Sequence, residues 1–278
     1  MFTLNCGGKL LVLESPVVMG ILNATPDSFY TGDISLGTDG MLRRAAEMLQ
    51  QGATILDVGG QSTRPGSERL DERSEKERVL PWITALRSSF PDAIISCDTY
   101  HADVARAAVE AGASVINDIS GGEMDKDMIP AVASLHVPFI CTHMQGTPGD
   151  MQRSPHYDDV VTSVYDFFAA KIKEAASAGI HDIILDPGFG FGKTVDHNLQ
   201  LLHELAYFTT LGKPVLAGLS RKKTIQRLLD TDAAGALNGT TVMHTLALLN
   251  GASMLRVHDV KEAAECIRLV QAYKKIAL

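Results

Sequence analysis

The feature that most restricts the fold is a recurrence. Eight short runs rich in Val, Ile and Leu return along the 278 residues, each followed by polar or glycine-rich residues and then by a segment of helical periodicity. The runs are VVMGIL (17–22), ATILDVG (53–59), AIISCD (93–98), SVINDI (114–119), VPFICTH (137–143), DIILD (182–186), KPVLAGL (213–219) and SMLRVH (253–258). Strands that stay apolar throughout, rather than alternating, are buried on both faces, as in a parallel sheet covered by helices. The segments between them, such as GMLRRAAEMLQQG, HADVARAAVEAG, VVTSVYDFFAAKIKEAASAG and TTVMHTLALLNG, read as helices, several closing on a Gly able to take the left-handed cap. Eight βα units in this length predict an α/β fold, the TIM (β/α)8 barrel; a doubly wound open sheet is the alternative with the same alternation. FTLNCGGKLLVL (2–13) has two apolar arms around Cys-Gly-Gly and predicts an N-terminal β-hairpin closing the barrel's bottom. No linker or low-complexity tract divides the chain, so residues 1–278 are expected to form a single domain.

Composition excludes several function classes. An apolar fraction of 45% supports a substantial core, and a formal charge of −8 without a broad basic face argues against nucleic acid or anionic lipid as a partner. No basic N-terminal segment leads into a long apolar run and no uninterrupted stretch of about 18 apolar residues occurs, so the expected location is the cytoplasm. Cys6, Cys97, Cys141 and Cys266 are scattered without a CxxC pair, which predicts reduced thiols rather than disulfides or a zinc site. The charged run RLDERSEKER (69–78) is read as a solvated loop and helix start.

In a TIM barrel the residues just past each strand share one mouth. Here they are Asn23, Gly59-Gly60 leading into QSTRPG, Asp98-Thr99, Asn117-Asp118, His143-Met144-Gln145, Asp186-Pro-Gly-Phe-Gly, Ser220-Arg221-Lys222 and Arg256-Val-His258. Charges at the ends of otherwise apolar strands cost several kcal/mol each if left unpaired, so they must pair with one another or with a ligand. Asp98, Asn117, Asp186 and Lys222 offer planar hydrogen bonding and Arg256 a flat cation, a set suited to a flat heterocycle with an amidine-like edge. Asn23, Arg64 and His258 supply a separate anion pocket.

Taken together, Asn23-Ala-Thr-Pro-Asp-Ser-Phe29, Ser62-Thr-Arg-Pro-Gly66, Cys97-Asp-Thr99, Ile116-Asn-Asp118, His143-Met-Gln-Gly146, Asp186-Pro-Gly-Phe-Gly-Phe-Gly-Lys193, Ser220-Arg-Lys222 and Arg256-Val-His-Asp259 resemble, in order and one per strand, the motifs of the dihydropteroate synthase family. The resemblance spans the chain. It implies condensation of 6-hydroxymethyl-7,8-dihydropterin pyrophosphate with p-aminobenzoate, giving 7,8-dihydropteroate and pyrophosphate in folate synthesis. It implies further that Asp98, Asn117, Asp186 and Lys222 bind the pterin, with Arg256 stacked on it, and that Asn23 holds Mg²⁺ and pyrophosphate. Thr63, Arg64 and His258 would bind pyrophosphate too, while Thr63, Pro65, Phe191 and Ser220 would shape the p-aminobenzoate pocket. The residues expected to carry catalysis are Asn23, Arg64, Lys222 and His258. A homodimer through the late helices is the implied assembly. Neither a Ser–His–Asp set nor a Schiff-base lysine is required when a good leaving group departs, so catalysis would be electrostatic and positional.

Three positions depart from the family pattern. Ala24 stands for a more usual valine, Gln61 for a frequent acid, and Thr31 occupies a place where an acid is common, with Asp33 a possible substitute. Gly188-Phe-Gly-Phe-Gly-Lys-Thr194 looks like a phosphate-binding P-loop, but Pro187 stands where its first glycine belongs. His143 is read as a hydrogen-bonded supporting group, Asp57 as a structural buried acid, and the choice between core and pocket for Phe189 and Phe191 stays open. His101, His136, His156, His181, His197, His203 and His244 are read as surface or capping residues. Two rival functions are a pterin-binding methyltransferase domain and a non-catalytic pterin-binding paralogue. TPDSF and STRPG argue against the first, and the intact anion set against the second.

Overall fold

The computed structural model describes residues 1–24, 37–61 and 69–276. Two short strands, β1 (Phe2–Cys6) and β2 (Lys9–Leu13), pair antiparallel with Cys6 opposite Lys9. Gly7 and Gly8 make the two-residue turn at φ 63° and 94°, a conformation that L side chains resist and that matches the strand twist. Then follow β3 (Val17–Asn23), α1 (Gly37–Gln51), β4 (Ala53–Gly59), α2 (Glu72–Ser89), β5 (Ile94–Asp98), α3 (Ala102–Glu110), β6 (Val115–Asp118) and α4 (Met128–Leu135). The chain continues with β7 (Phe139–Thr142), α5 (Val160–Ala178), β8 (Ile183–Asp186), α6 (Val195–His203), α7 (Leu205–Thr209), β9 (Leu216–Ala217), α8 (Lys223–Leu228), α9 (Leu237–Leu249), β10 (Met254–Val257) and α10 (Val260–Ile276).

The sheet runs β8-β7-β6-β5-β4-β3-β10-β9, every neighbouring pair parallel. A single bridge, Leu185 to Val215, joins its two edges and turns it into a nearly closed barrel, so the open-sheet alternative is excluded. β9 is shorter than the run 213–219 suggested. It ladders only with β10, and toward β8 the contact is that bridge, of which Leu185 N donating to Pro214 O at 2.9 Å is one bond.

Because successive strand side chains point to opposite faces, each strand serves two cores. Leu56, Val58, Ile95, Cys97, Ile116, Phe139, Leu185, Leu255 and Val257 face outward and pack with the helices in one buried cluster. Met19, Ile55, Ile94, Val115, Ile140, Ile184, Leu216 and Met254, one from each barrel strand, point inward and form a second cluster with Leu4, Cys6, Leu11 and Leu13 of the hairpin. The expected plug is therefore found. Asn5 N reinforces it by donating to Asp182 Oδ2 at 2.6 Å.

Helix ends follow the sequence signals. Asp71 and Asp159 cap α2 and α5 by accepting from Ser74 N and Thr162 N, and Gly179 closes α5 at φ 93°. All four cysteines are free and buried. Two local expectations fail. Glu75, inside the charged run, is 0% exposed because it faces inward from the first turn of α2, and burial raises its carboxyl to about 8. Of the histidines expected at the surface or at caps, His101 holds the N-cap position of α3 with its side chain buried beside Glu75, whereas His244 does neither and lies on the inner face of α9, where burial lowers it to about 4.

Candidate active site

Two residues beyond the apolar floor, the inward positions change character. After Ile55, Ile94, Val115, Ile140, Ile184 and Met254 come Asp57, Ser96, Asn117, Thr142, Asp186 and Arg256, all buried except Arg256, whose side chain is 20% exposed. Register staggers these positions around the barrel, Asp57 pairing with Ser96 and Thr142 with Asp186 while Asn117 pairs with Asp98 and Ile140, so side-chain bonds are what join them at the mouth. Arg256 organises it. Its Nε donates to Asp57 Oδ2 at 2.7 Å and its Nη2 to Asp98 Oδ2 at 2.6 Å, while Asn117 Nδ2 donates to the same Asp57 oxygen at 3.2 Å. Burial pushes the Asp98 carboxyl up, Arg256 opposing it, and the guanidinium itself is held firmly charged by Asp57 and Asp98 against its own burial.

On the opposite wall Asp186 Oδ1 accepts from Gly188 N at 2.8 Å. Burial raises this carboxyl and Lys222 lowers it; in turn burial lowers the Lys222 ammonium to about 8 with Asp186 opposing. A Cβ placed on Gly218 would lie 3.7 Å from Asp186 Oδ2 and 4.0 Å from Lys222 Nζ, so the bare glycine keeps the space before both groups open. Lys222 donates to Phe189 O, and its Nζ stands 4.4 Å from the centre of the Phe191 ring. Phe189 is core at 1% exposure, and Phe191 is half-buried.

At the rim, Ser220 Oγ lies 3.0 Å from His258 Nδ1 and accepts from His258 N at 3.2 Å, and His258 O accepts from Arg44 Nη2 at 2.9 Å. Burial and the neighbouring Arg256 lower the imidazole to about 4, so it is neutral at physiological pH. Asn23 ends β3 opposite Gly59 and is half-buried. Thr63, Arg64 and Pro65, with Thr31, Asp33 and the TPDSF segment, lie outside the described residues. Gln61, at the edge of that gap, accepts from Leu70 N at 2.8 Å and Tyr100 Oη at 3.3 Å, so this departure is accommodated by local bonds.

The structure thus brings Asp98, Asn117, Asp186, Lys222 and Arg256 into one layer with Phe191, Ser220 and His258 around its edge. Asp57, expected as a structural buried acid, anchors both Arg256 and Asn117. Two further supports were not expected. Arg221, at φ 54°, grips Asp259 through Nε at 2.7 Å and Nη2 at 2.8 Å, locking the loop after β9 to the end of β10. Lys193 is buried against His143. The signal for Arg221 was its place beside Ser220 and Lys222, but only the fold brings it to Asp259.

Among the described residues, the one group of His, Asp and Glu ligand atoms within 4.8 Å of each other is Glu72, His101 and Asp125. Asp125 is already engaged there, accepting from Ala102 N at 2.7 Å and Asp127 N at 2.9 Å, and Asn23 is no part of the group.

With Asp57 included, the layer is one that a flat, N–H-rich ring would satisfy, since the carboxylates of Asp57, Asp98 and Asp186 outnumber the cations Lys222 and Arg256. Comparison with known proteins agrees. Residues 19–258 match the model of the pterin binding enzyme family. The dihydropteroate synthase of Escherichia coli K12 is 42% identical over 267 residues, covering 95% of this chain and 94% of that protein. The Yersinia pestis dihydropteroate synthase, solved as a sulfonamide drug complex, superposes with a TM-score of 0.94 at 41% identity, covering 99% of this chain and 100% of that one. The Xanthomonas albilineans dihydropteroate synthase in complex with 7,8-dihydropteroate superposes with a TM-score of 0.85 at 37% identity, covering 98% of both chains. This chain therefore belongs to the dihydropteroate synthase family of pterin-binding enzymes.

Proposed function

We propose that the protein condenses 6-hydroxymethyl-7,8-dihydropterin pyrophosphate with p-aminobenzoate, releasing 7,8-dihydropteroate and pyrophosphate, as one domain spanning residues 1–278. The observation that carries this reading is the buried layer of Asp57, Asp98, Asn117, Asp186 and Arg256 with Lys222 beside it, at the barrel end where TIM-barrel enzymes react. Asp186, Asn117 and Asp98 read the donors and acceptors of the pterin edge, Lys222 donates to a ring acceptor, and Arg256, held flat by two carboxylates, lies along the ring face. Because these groups are fixed before the substrate arrives, they orient the methylene that is attacked without reorganising during reaction.

At the rim, Asn23, Thr63, Arg64 and His258 would take the pyrophosphate. Burial and Arg256 keep His258 neutral, so it would meet the pyrophosphate as a hydrogen-bond donor rather than as a charge. Mg²⁺ is the expected cofactor. The half-buried side-chain oxygen of Asn23 suits it, because this ion is commonly held by one or two protein oxygens together with waters and phosphates. When bound, it neutralises charge on the departing pyrophosphate. Thr63, Pro65, Phe191 and Ser220 would line the p-aminobenzoate pocket, where an apolar ring wall and the exclusion of water favour an uncharged aromatic amine as nucleophile.

The assembly we propose is a homodimer. Val242, Leu246 and Leu249 on α9 and Leu269, Tyr273 and Ile276 on α10 are all more than two-fifths exposed, an apolar surface that a second copy would cover. Sedimentation of the purified chain tests it, and a monomer at micromolar concentration rejects it. Cytoplasmic residence fits the four free thiols; among the described residues no helix is long and apolar enough to cross a membrane.

The deciding experiment mixes protein, Mg²⁺, the pterin pyrophosphate and p-aminobenzoate and follows pyrophosphate release together with dihydropteroate. Stoichiometric formation of both is expected. Pterin binding without release would leave only a non-catalytic pterin binder, and methyl transfer to a corrinoid would select the methyltransferase reading.

A further inference from the structure

The run Gly188–Lys193 is held in an unusual way. Four successive carbonyls are each taken by a side chain: Phe189 O by Lys222, Gly190 O by Gln152, Phe191 O by Lys193 at 3.1 Å and Gly192 O by the Tyr157 hydroxyl at 3.0 Å. The backbone also lies against the loop after β7. At φ 69° and 62°, Gly188 and Gly192 press so close that a Cβ would stand 1.9 Å from His143 O and 2.3 Å from Gln145 O. Glycine is obligatory at both.

Lys193 is the joint between the two loops. Although 3% exposed, its Nζ reaches three acceptors: His143 Nδ1 at 2.9 Å, His143 O at 3.1 Å and Phe191 O at 3.1 Å. Burial pushes the Lys193 ammonium well down; the three acceptors match its three N–H donors and oppose that, with His143 then offering the lone pair of Nδ1. The imidazole is fixed in that role by its packing, edge-on to Phe167 at 5.0 Å and 87°. Burial and the Lys193 charge lower His143 to about 3, consistent with a neutral ring. The lysine that imitates a P-loop in the sequence is thus turned inward, away from any phosphate.

We propose that Lys193, assisted by Tyr157, is a positioning residue for the second substrate: by tying the Phe191 carbonyl to the loop after β7, it fixes the height of the Phe191 ring beneath Lys222 and so sets the affinity for p-aminobenzoate. This rests on the reading that Phe191 walls the p-aminobenzoate pocket. The pterin layer touches this run through Asp186, which accepts from Gly188 N, and Lys222, which donates to Phe189 O. Asp57, Asp98, Asn117 and Arg256, by contrast, stand on strands and bond one another, so loosening the far end of the run at Lys193 should disturb the pterin less than Phe191.

The test is steady-state pyrophosphate release by the full chain, with melting temperature and pterin affinity measured alongside. Lys193→Met should raise KM for p-aminobenzoate about tenfold or more with kcat little changed, while the pterin dissociation constant moves less than about threefold. His143→Leu should follow it, and His143→Asn, which keeps an acceptor near the place of Nδ1, should recover most of what His143→Leu loses. If Phe191→Ala raises KM and Lys193→Met does not, the positioning role is overturned while the pocket survives. If Phe191→Ala itself leaves KM unchanged, the pocket reading falls and the proposal falls with it. Equal losses of pterin and p-aminobenzoate affinity in Lys193→Met would mean general damage and also overturn it. Should Lys193→Met fail to fold, Tyr157→Phe removes only the hydroxyl on Gly192 O; a rise of about threefold in the same KM is expected, and no rise counts against the proposal.

Discussion

The two ends of the barrel are made from the same strands and differ by a step of two residues. At the lower end Ile55, Ile94, Val115, Ile184 and Met254 meet the hairpin in a dry cluster; two positions further on, the same strands present Asp57, Ser96, Asn117, Asp186 and Arg256. Each Leu or Ile sealed in the floor contributes about 1.5–3 kcal/mol, whereas buried charges contribute little net stability even when paired. The floor therefore supplies stability on which the mouth can spend, and the mouth keeps groups whose best partners arrive from solution. Stability and recognition are separated along the barrel axis.

That separation can be broken first from below. Leu13→Ala opens a void beneath the barrel at a residue 4% exposed and should cost about 2–5 kcal/mol in denaturant unfolding, with pterin affinity unchanged once the protein is folded. A parallel loss of pterin affinity would show the two ends to be coupled. From above, Asp186→Asn keeps the shape but exchanges an acceptor for a donor. It should weaken pterin binding by about 1.5–3 kcal/mol, roughly ten- to a hundred-and-fifty-fold by calorimetry, and leave unfolding near its native value. Unchanged affinity in a folded variant removes Asp186 from the site.

The smallest effect sharpens the electrostatics of the mouth. Burial lowers the Lys222 ammonium to about 8, so the charged form prevails below that pH and is lost above it. Pterin binding should weaken by less than about tenfold as pH rises through that value, and Lys222→Met should bind weakly with this limb absent. A limb that persists in Lys222→Met belongs to another group.

Much of this was legible in the sequence, and the boundary of legibility has a physical cause. Unbroken apolar runs announce strands buried on both faces, and the polar residues ending them announce the mouth, because a charge there needs a partner. The same runs conceal which side chain faces the axis: Asp57 and Val58 stand in one apolar string, and only the register with Ser96 and Cys97 assigns Asp57 to the interior and Val58 to the helices. Contacts between remote positions were equally hidden, as with Arg221 and Asp259 or Lys193 and His143. β9 was read too long since composition cannot reveal that one neighbour would engage it by a single bridge. The roles of Thr63, Arg64 and Pro65 rest on the family resemblance, these residues lying outside those described.

That bridge gives the barrel a seam. Seven junctions are laddered and the eighth, between β8 and β9, is held by the single bridge of Leu185 to Val215, to which Leu185 N donating to Pro214 O belongs. Local opening follows the path of fewest hydrogen bonds, so amide exchange should begin along this line. Asp186 ends the strand on one side of it and Lys222 follows the strand on the other. A molecule gripped by both works as a rivet across the slit, and filling the pocket finishes a cylinder that the backbone leaves almost unfastened.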